Sequence, residues 1–382
     1  MCPSLSFRRF DEVSLNTTVD VNFNDGRSYV ISIGDSLLSE RSLSTGGKAS
    51  HAVVITESAI VNLGSDGPLP KTVANLEGQG LRVDVITFEG GEARKNMASV
   101  MDIMQQLYEI PTVDRKTLLV AVGGGVIGDI VGFVAAIYLR GLPFVQVPTT
   151  LLAMVDSSVG GKTGVDFVQG KNLVGAFIQP SAVWIDTSVL ATLPKRELAA
   201  GMAEVVKYGI ISDRDILDLC KVLPTETKQY IDIVTKSCAI KASVVIEDEH
   251  EITGARATLN FGHTIGHALE GLTGYQRYKH GEAVAIGMVS ACHIGIAAGL
   301  TPPVILNTLL ETLTSIGLPT TLPDDITDDA LIALTSRDKK AAAGVARYVI
   351  ARDFGRMELH TLQADVVNAG LAQHRSKEGH HV

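Results

Sequence analysis

His263 and His267, in the segment NFGHTIGH, lie four residues apart. On a helix that spacing puts both imidazoles on one face, as a metal pair requires. No glutamate follows His263, so the zincin arrangement is absent and a protease is disfavoured. A third histidine stands in His280-Gly281-Glu282, and Glu204 and Lys207 lie at i and i+3 in AEVVK. Two neutral imidazoles and one carboxylate with an open position would make a catalytic zinc site. Spacing leaves open which two histidines bind.

Cations and amides accompany these groups. Lys241, Arg256 and Asn260 precede the histidines in KASVVIEDEHEITGARATLN, and Asp338-Lys339-Lys340 follows them. Earlier, VDSSVGGKTG and Lys171-Asn172 add Lys162 and further donors. Such a set suits a substrate carrying phosphate and carboxylate oxygens. Gly161-Lys162-Thr163 looks like the end of a Walker A motif, but Asp156 occupies the place of its first glycine. An NTPase is therefore disfavoured.

The run TLLVAV enters Gly123-Gly124-Gly125-Val126-Ile127-Gly128-Asp129, a G-x-G-x-x-G pattern between a strand and a helix. Glycines there let a pyrophosphate reach backbone N–H groups at a positive helix end. The same pattern also serves close helix packing. The acidic residue of a standard dinucleotide half is missing, because PFVQVPTT ends in Thr149 and Thr150. Other nucleotide contacts are then required. Glu57 at the end of HAVVITE, and Glu92 and Lys95 in EGGEARK, follow strands, where ligands of parallel sheets bind.

Positioning these groups requires a scaffold, and its pattern is visible. Short β-branched runs at 51–56, 81–88, 117–122 and 143–148 alternate with helical stretches, implying a parallel sheet covered by helices. From about Leu193 helical periodicity dominates, through AEVVKYGII, the His263 region and the segment from Glu282 to Gly299. At 382 residues the chain is long for one core, which favours two domains. The apolar segment from Thr117 to Leu139 is long enough to span a membrane but carries Asp129 and a glycine cluster, so no membrane span is expected.

Net charge of −9 without a long basic block argues against nucleic acid or an acidic membrane as partner. Cys2, Cys220, Cys238 and Cys292 are scattered, and read as reduced thiols of a cytoplasmic protein. The N-terminal segment MCPSLSFRRFDEV lacks the apolar stretch of an export signal.

Together, GGGVIGD, VPTTLLAMVDSSVGGKTGVD, GKNLVGAFIQP, LPKRELAAGMAEVVKYGII, LNFGHTIGHA and HGEAVAIGM resemble the dehydroquinate synthase family of sugar-phosphate cyclases across nearly the whole chain. The resemblance implies an α/β N-terminal nucleotide-binding domain, Rossmann-like, over 1–190, and an all-α C-terminal domain holding metal and substrate over 191–382. It implies NAD, zinc with cobalt as an alternative, and a homodimer. Glu204, His263 and His280 would be the metal ligands, leaving His267 as an active-site group. Asp156, Lys162, Asn172, Lys207, Lys241, Arg256, Asn260, His267 and Lys339 would form the substrate pocket, with Arg140 a phosphate contact supplied across the dimer. NAD would meet Glu57, Glu92, Lys95, Gly124, Gly125, Asp129, Thr149, Thr150, Lys162, Lys171 and Thr192.

The implied reaction converts 3-deoxy-D-arabino-heptulosonate 7-phosphate to 3-dehydroquinate, the second step of the shikimate route. NAD acts as a transient oxidant, the ketone formed acidifies the neighbouring C–H, phosphate is eliminated, and the hydride returns before ring opening and aldol closure. Competing expectations are an amino-dehydroquinate synthase, another sugar-phosphate cyclase, or a metal-dependent alcohol or glycerol dehydrogenase that releases NADH.

Overall fold

The run His51–Glu57 is buried along nearly its whole length, as a parallel strand covered on both faces must be, and it forms β4 of a computed structural model. The structure describes residues 7–9, 16–40, 43–335 and 346–376. The strands before it are β1 (Phe7–Arg9), β2 (Thr17–Asn22) and β3 (Ser28–Gly34). After it come β5 (Arg82–Phe88), β6 (Leu118–Gly123), β7 (Phe144–Pro148), β8 (Lys162–Phe167), β9 (Gly170–Phe177) and β10 (Ala182–Asp186). Eight of them form one sheet in the order β1-β2-β3-β10-β7-β6-β4-β5, and β8 and β9 pair as a separate antiparallel hairpin. From β3 to β5 the pairing is parallel throughout, with β1 and β2 antiparallel at one edge.

The four strands expected at 51–56, 81–88, 117–122 and 143–148 are all present. The apolar stretch from Thr117 divides into β6 and a helix, so it does not span. Helices of this region are α1 (Ser58–Val61), α2 (Pro68–Gly78), α3 (Met97–Glu109) and α4 (Gly125–Ile137). Val100, Ile103 and Leu107 of α3 and Ile127, Ile130, Val131 and Val134 of α4 pack with Val53, Ile55, Ile86 and Phe144 of the strands. Each such side chain contributes roughly 1.5–3 kcal/mol relative to exposure. The chain passes from β4 to β5 on one side and returns to β6 on the other, so a switch point lies between β4 and β6.

The remaining helices are α5 (Lys195–Ile211), α6 (Ile216–Leu219), α7 (Thr227–Glu247), α8 (His263–Leu272), α9 (His280–Ala297), α10 (Pro303–Ser315), α11 (Asp328–Thr335) and α12 (Ala364–Ser376). Two compact units result: Met1–Leu193 with Glu226–His250, and Pro194–Thr225 with Glu251–Val382. This differs from a single cut at residue 190, because α7 belongs with the sheet unit. Its buried Ile231, Val234, Cys238 and Ala242 face β2, β3 and the π-helical turn Ala153–Ser157, where Cys238 Sγ donates to the Met154 carbonyl at 3.3 Å.

Among the described residues the second unit is predominantly helical, as expected, with one added antiparallel hairpin, β11 (Arg347–Asp353) with β12 (Arg356–Thr361). Tyr348 and Ile350 of β11 fill the same core as Ile265, Leu269, Ile286 and Leu371, which gives the hairpin its place. Helix α9 is long and apolar enough to cross a membrane, but 78% of it is buried within the fold, as for a core helix.

Candidate active site

In the sheet unit, Glu57, the glycine turn, and Thr149 and Thr150 follow the carboxyl ends of β4, β6 and β7, three neighbouring strands. Gly123 and Gly128 are needed for packing. A Cβ on Gly123 would lie 2.3 Å from Ile127, and one on Gly128 2.5 Å from Gln146. Gly124 caps the 13-residue α4 without a side-chain hydrogen bond, so the helix opens on backbone N–H groups, a fitting seat for a pyrophosphate. Thr149 donates its N–H to the Gly123 carbonyl at 2.9 Å, and the Thr150 hydroxyl accepts from Ala153 N–H at 3.2 Å. Burial pushes the Glu57 carboxyl up against the opposing effect of a Gly91 N–H, and its side chain lies where a Cβ on Gly90 would stand.

Glu92 and Lys95 follow β5. Lys171 Nζ pairs with Glu92 at 2.6 Å, and buried Lys95 pairs with Asp129 of α4 at 2.5 Å while donating to Asn172 Oδ1 at 2.7 Å. Burial opposes the Lys95 charge, but Asp129 outweighs it and raises the ammonium above its ordinary value. Asn172 has a left-handed φ of 52°, held by its own N–H donating to Asp166 Oδ1 at 2.8 Å. The turn containing Asp156 is a π-helix, a form that recurs at functional sites. Lys241 of α7 donates to both the Asp156 carboxylate and its carbonyl at 2.7 Å. Gly161-Lys162-Thr163 opens strand β8 and not a helix, which removes the Walker A reading structurally. Lys162 is exposed at that strand start, Thr192 ends the 3-10 turn Thr187–Thr192, and Arg140 is exposed in a turn where Leu139 and Arg140 have φ of 49° and 68°.

In the helical unit, Glu204 and Lys207 sit one turn apart on α5, both buried and ion-paired. Glu204 Oε1 lies 3.5 Å from His263 Nε2 and 3.4 Å from His280 Nε2. One donor atom from each of the three lies within 4.8 Å of the others. His263 Nδ1 is 3.1 Å from the Phe261 carbonyl, which only accepts, so the proton sits on Nδ1 and the lone pair on Nε2. Burial holds His263 well below 6.5, which keeps it neutral. At His280 burial lowers the value, but Glu204 and Glu270 overcome it and push the imidazole up to about 10. A carboxylate with two imidazoles is the donor set zinc takes with an open position.

Close helix approach makes this geometry. A Cβ on Gly281, the second residue of α9, would stand 1.8 Å from the Ala200 carbonyl of α5, and one on Gly287 2.0 Å from the Gly262 carbonyl. Gly262, at φ 79°, also abuts Met288. Around Gly281, Arg196 of α5 holds Glu282 of α9 through two 2.7 Å bonds, and Lys279 pairs with Glu197 at 2.7 Å.

His267 is exposed on α8, its ring 5.2 Å from that of His263 and 6.0 Å from that of His280. Arg256 is buried in the turn Ala255–Asn260, and Asn260 ends that turn half-buried. Asp338, Lys339 and Lys340 lie outside the described residues. Sequence reasoning missed Asp166 and Glu270. The latter was readable, since His263, His267 and Glu270 recur at i, i+4 and i+7.

The chain matches family models described as 3-dehydroquinate synthase N-terminal over residues 85–200 and C-terminal over 201–341. It is 47% identical over 298 residues to a 3-dehydroquinate synthase of Synechococcus sp., covering 76% of this chain and 80% of that one. To the one from Desulforamulus reducens it is 39% identical over 352 residues, 90% and 95% of the two chains. Among solved structures, 2-deoxy-scyllo-inosose synthase complexed with carbaglucose-6-phosphate, NAD+ and Co2+ aligns with TM-score 0.82 and 27% identity, covering 94% and 99%. A 2-epi-5-epi-valiolone synthase from Streptomyces hygroscopicus with NAD+ and Zn2+ bound gives 0.81 and 25%, covering 91% and 96%. Glycerol dehydrogenase from Schizosaccharomyces pombe, at TM-score 0.61, 17% identity and coverage of 90% and 89%, shares the fold alone.

Proposed function

The chain belongs to the 3-dehydroquinate synthase family, and from that premise we propose that it converts 3-deoxy-D-arabino-heptulosonate 7-phosphate to 3-dehydroquinate and phosphate. The observation that carries this is the identity of 39–47% to dehydroquinate synthases, against 25–27% to the inosose and valiolone cyclases of the same fold.

Glu204, His263 and His280 would hold zinc or cobalt, and Glu57, Glu92, Lys95, Thr149 and Thr150 after the strands, with Gly124, Gly125 and Asp129 at the start of α4, would hold NAD, with Lys162, Lys171 and Thr192 as further contacts. Support comes from the donor chemistry described above and from the two sister cyclases, which carry NAD+ with Co2+ or Zn2+. Bound, NAD supplies a reversible hydride acceptor and the metal supplies Lewis acidity toward a substrate hydroxyl.

The chain's own residues bind and orient. Lys207, buried and fixed by Glu204, presents its ammonium to substrate oxygens. Lys241, locked by two bonds to Asp156, does the same with little reorganisation. Lys162, Asn172, Arg256 and Asn260 complete recognition of carboxylate, phosphate and hydroxyls. His267 holds or moves a proton on the substrate.

The active form is a homodimer in the cytoplasm. Met101 and Tyr108 of α3 are 58% and 77% exposed, and Ile137, which ends α4, and Leu139 beyond it are also exposed. An apolar and aromatic surface with Arg140 beside Leu139 suits a second copy, to which Arg140 contributes a phosphate contact. The test offers the purified enzyme the heptulosonate phosphate and its amino counterpart separately, with product identified by mass. The expected product is 3-dehydroquinate with equimolar phosphate. Preferential turnover of the amino substrate would move the chain to amino-dehydroquinate synthases.

A further inference from the structure

We infer that Glu270 is a positioning residue for the metal ligand His280, an inference that rests on the ligand assignment above. Glu270 is 4% exposed on α8, one turn beyond His267, and its Oε2 lies 3.4 Å from His280 Nδ1. The other nitrogen of the same ring, Nε2, lies 3.4 Å from Glu204 Oε1. A carboxylate facing Nδ1 accepts a hydrogen bond from the N–H there, which keeps the proton on Nδ1 and leaves the lone pair on Nε2, toward the other donors. His263 reaches the same state through a backbone carbonyl, Phe261 O. The two imidazoles are thus oriented by different devices. The backbone device is neutral, whereas the Glu270 device carries charge, which strengthens His280 as a donor.

Ala268 and Leu269 beside Glu270 on α8 pack into a core with Ile286, Leu331 and Ile350, so the bond lies at the edge of an apolar region that strengthens it. Glu270, His267 and His280 also bring one donor atom each within 4.8 Å. A direct ligand role for Glu270 would change the number of metal bonds, whereas a positioning role leaves it unchanged. The two are therefore separable by spectroscopy.

The experiment compares parent, Glu270→Gln, Glu270→Ala and His280→Ala by chelator competition for Zn2+, by Co2+ absorption, and by melting of the metal-free proteins. Glu270→Gln keeps size and hydrogen bonding but removes charge, and should bind Zn2+ about 10-fold more weakly. Glu270→Ala should approach about 100-fold, with the Co2+ band still of the parental coordination number. A residue with only a structural role would lower the melting temperature and leave metal affinity of the folded protein unchanged. Parental affinity in Glu270→Gln, within about twofold, overturns the inference, as does a changed coordination number, which would make Glu270 a ligand. Parental affinity in His280→Ala would instead overturn the ligand assignment itself. Isosteric Glu270→Gln keeps the test valid if the alanine variant does not fold.

Discussion

Replacing Gly281 with alanine tests whether helix approach builds the metal centre. An ideal Cβ there stands 1.8 Å from the Ala200 carbonyl oxygen and 2.6 Å from its carbon, where ordinary contact begins at 3.4 Å. The shortfall of 1.6 Å is against backbone on both sides, so no side-chain rotation relieves it. The start of α9 must move away from α5, and His280 is the residue before Gly281 while Glu204 is one turn beyond Ala200. Metal sites hold ligand distances to about 0.2 Å, so a displacement above about 1 Å separates His280 from the other donors. Overpacking of this kind costs about 1–3 kcal/mol, equivalent to a melting temperature lower by roughly 2–12 °C. Metal affinity should fall by at least about 10-fold. Gly78→Ala, at the end of α2 with nothing within 4 Å of the new methyl, is the control and should be neutral or slightly stabilising. Differential scanning fluorimetry without metal and chelator competition provide the readouts. A Gly281→Ala protein with parental melting and parental affinity would refute the reasoning.

His280→Ala should lose zinc retention, whereas His267→Ala should keep zinc and lose rate. Metal analysis after gel filtration decides this, and zinc loss in both would favour a site built on the i, i+4 pair. Mixing inactive Arg140→Ala and Lys207→Ala proteins should restore about a quarter of parental activity, because half of random dimers are mixed and each then holds one intact site. Absence of restoration after subunit exchange would remove the cross-dimer role. Glu249 accepts two bonds from Arg27, at 3.0 and 2.6 Å, and one from Gln179, which hold its carboxyl below 4.5. A depressed folded value gives stability that is present at neutral pH and lost as pH falls below about 4.5. With Arg27 half exposed the pair contributes at most about 1 kcal/mol. Urea melts should therefore show Arg27→Met less stable than the parent at pH 7 and nearly equal at pH 3.

Much of the sheet was legible because strands buried on both faces leave continuous apolar runs, as His51–Glu57 and Leu118–Gly123 do. β8 and β9 were not, since lysines and glycines there resemble a loop. Their glycines are contact sites, and a Cβ on Gly164 would meet the Val174 carbonyl at 2.4 Å. The attachment of α7 to the sheet unit had no local signal, because Lys241 meets Asp156 across 85 residues. In the site, residue types gave the donor set, but the choice among three histidines depends on ring directions. Those come from Phe261 O, Glu270 and the glycine contacts of α9. Glu270 escaped notice because a glutamate on a helix normally means a solvated face, although its place at i+7 from His263 set it on the histidine face, where it is buried.

The central claim is that NAD is used and restored within each turnover of a phosphate-losing cyclisation. The most direct measurement supplies zinc-loaded enzyme with the heptulosonate phosphate and NAD at about one-hundredth of the substrate, following phosphate and absorbance of NADH together. Complete phosphate release with no accumulating NADH is the result predicted. Release that stops when NAD is exhausted, with NADH formed in step, would contradict the account and leave a dehydrogenase.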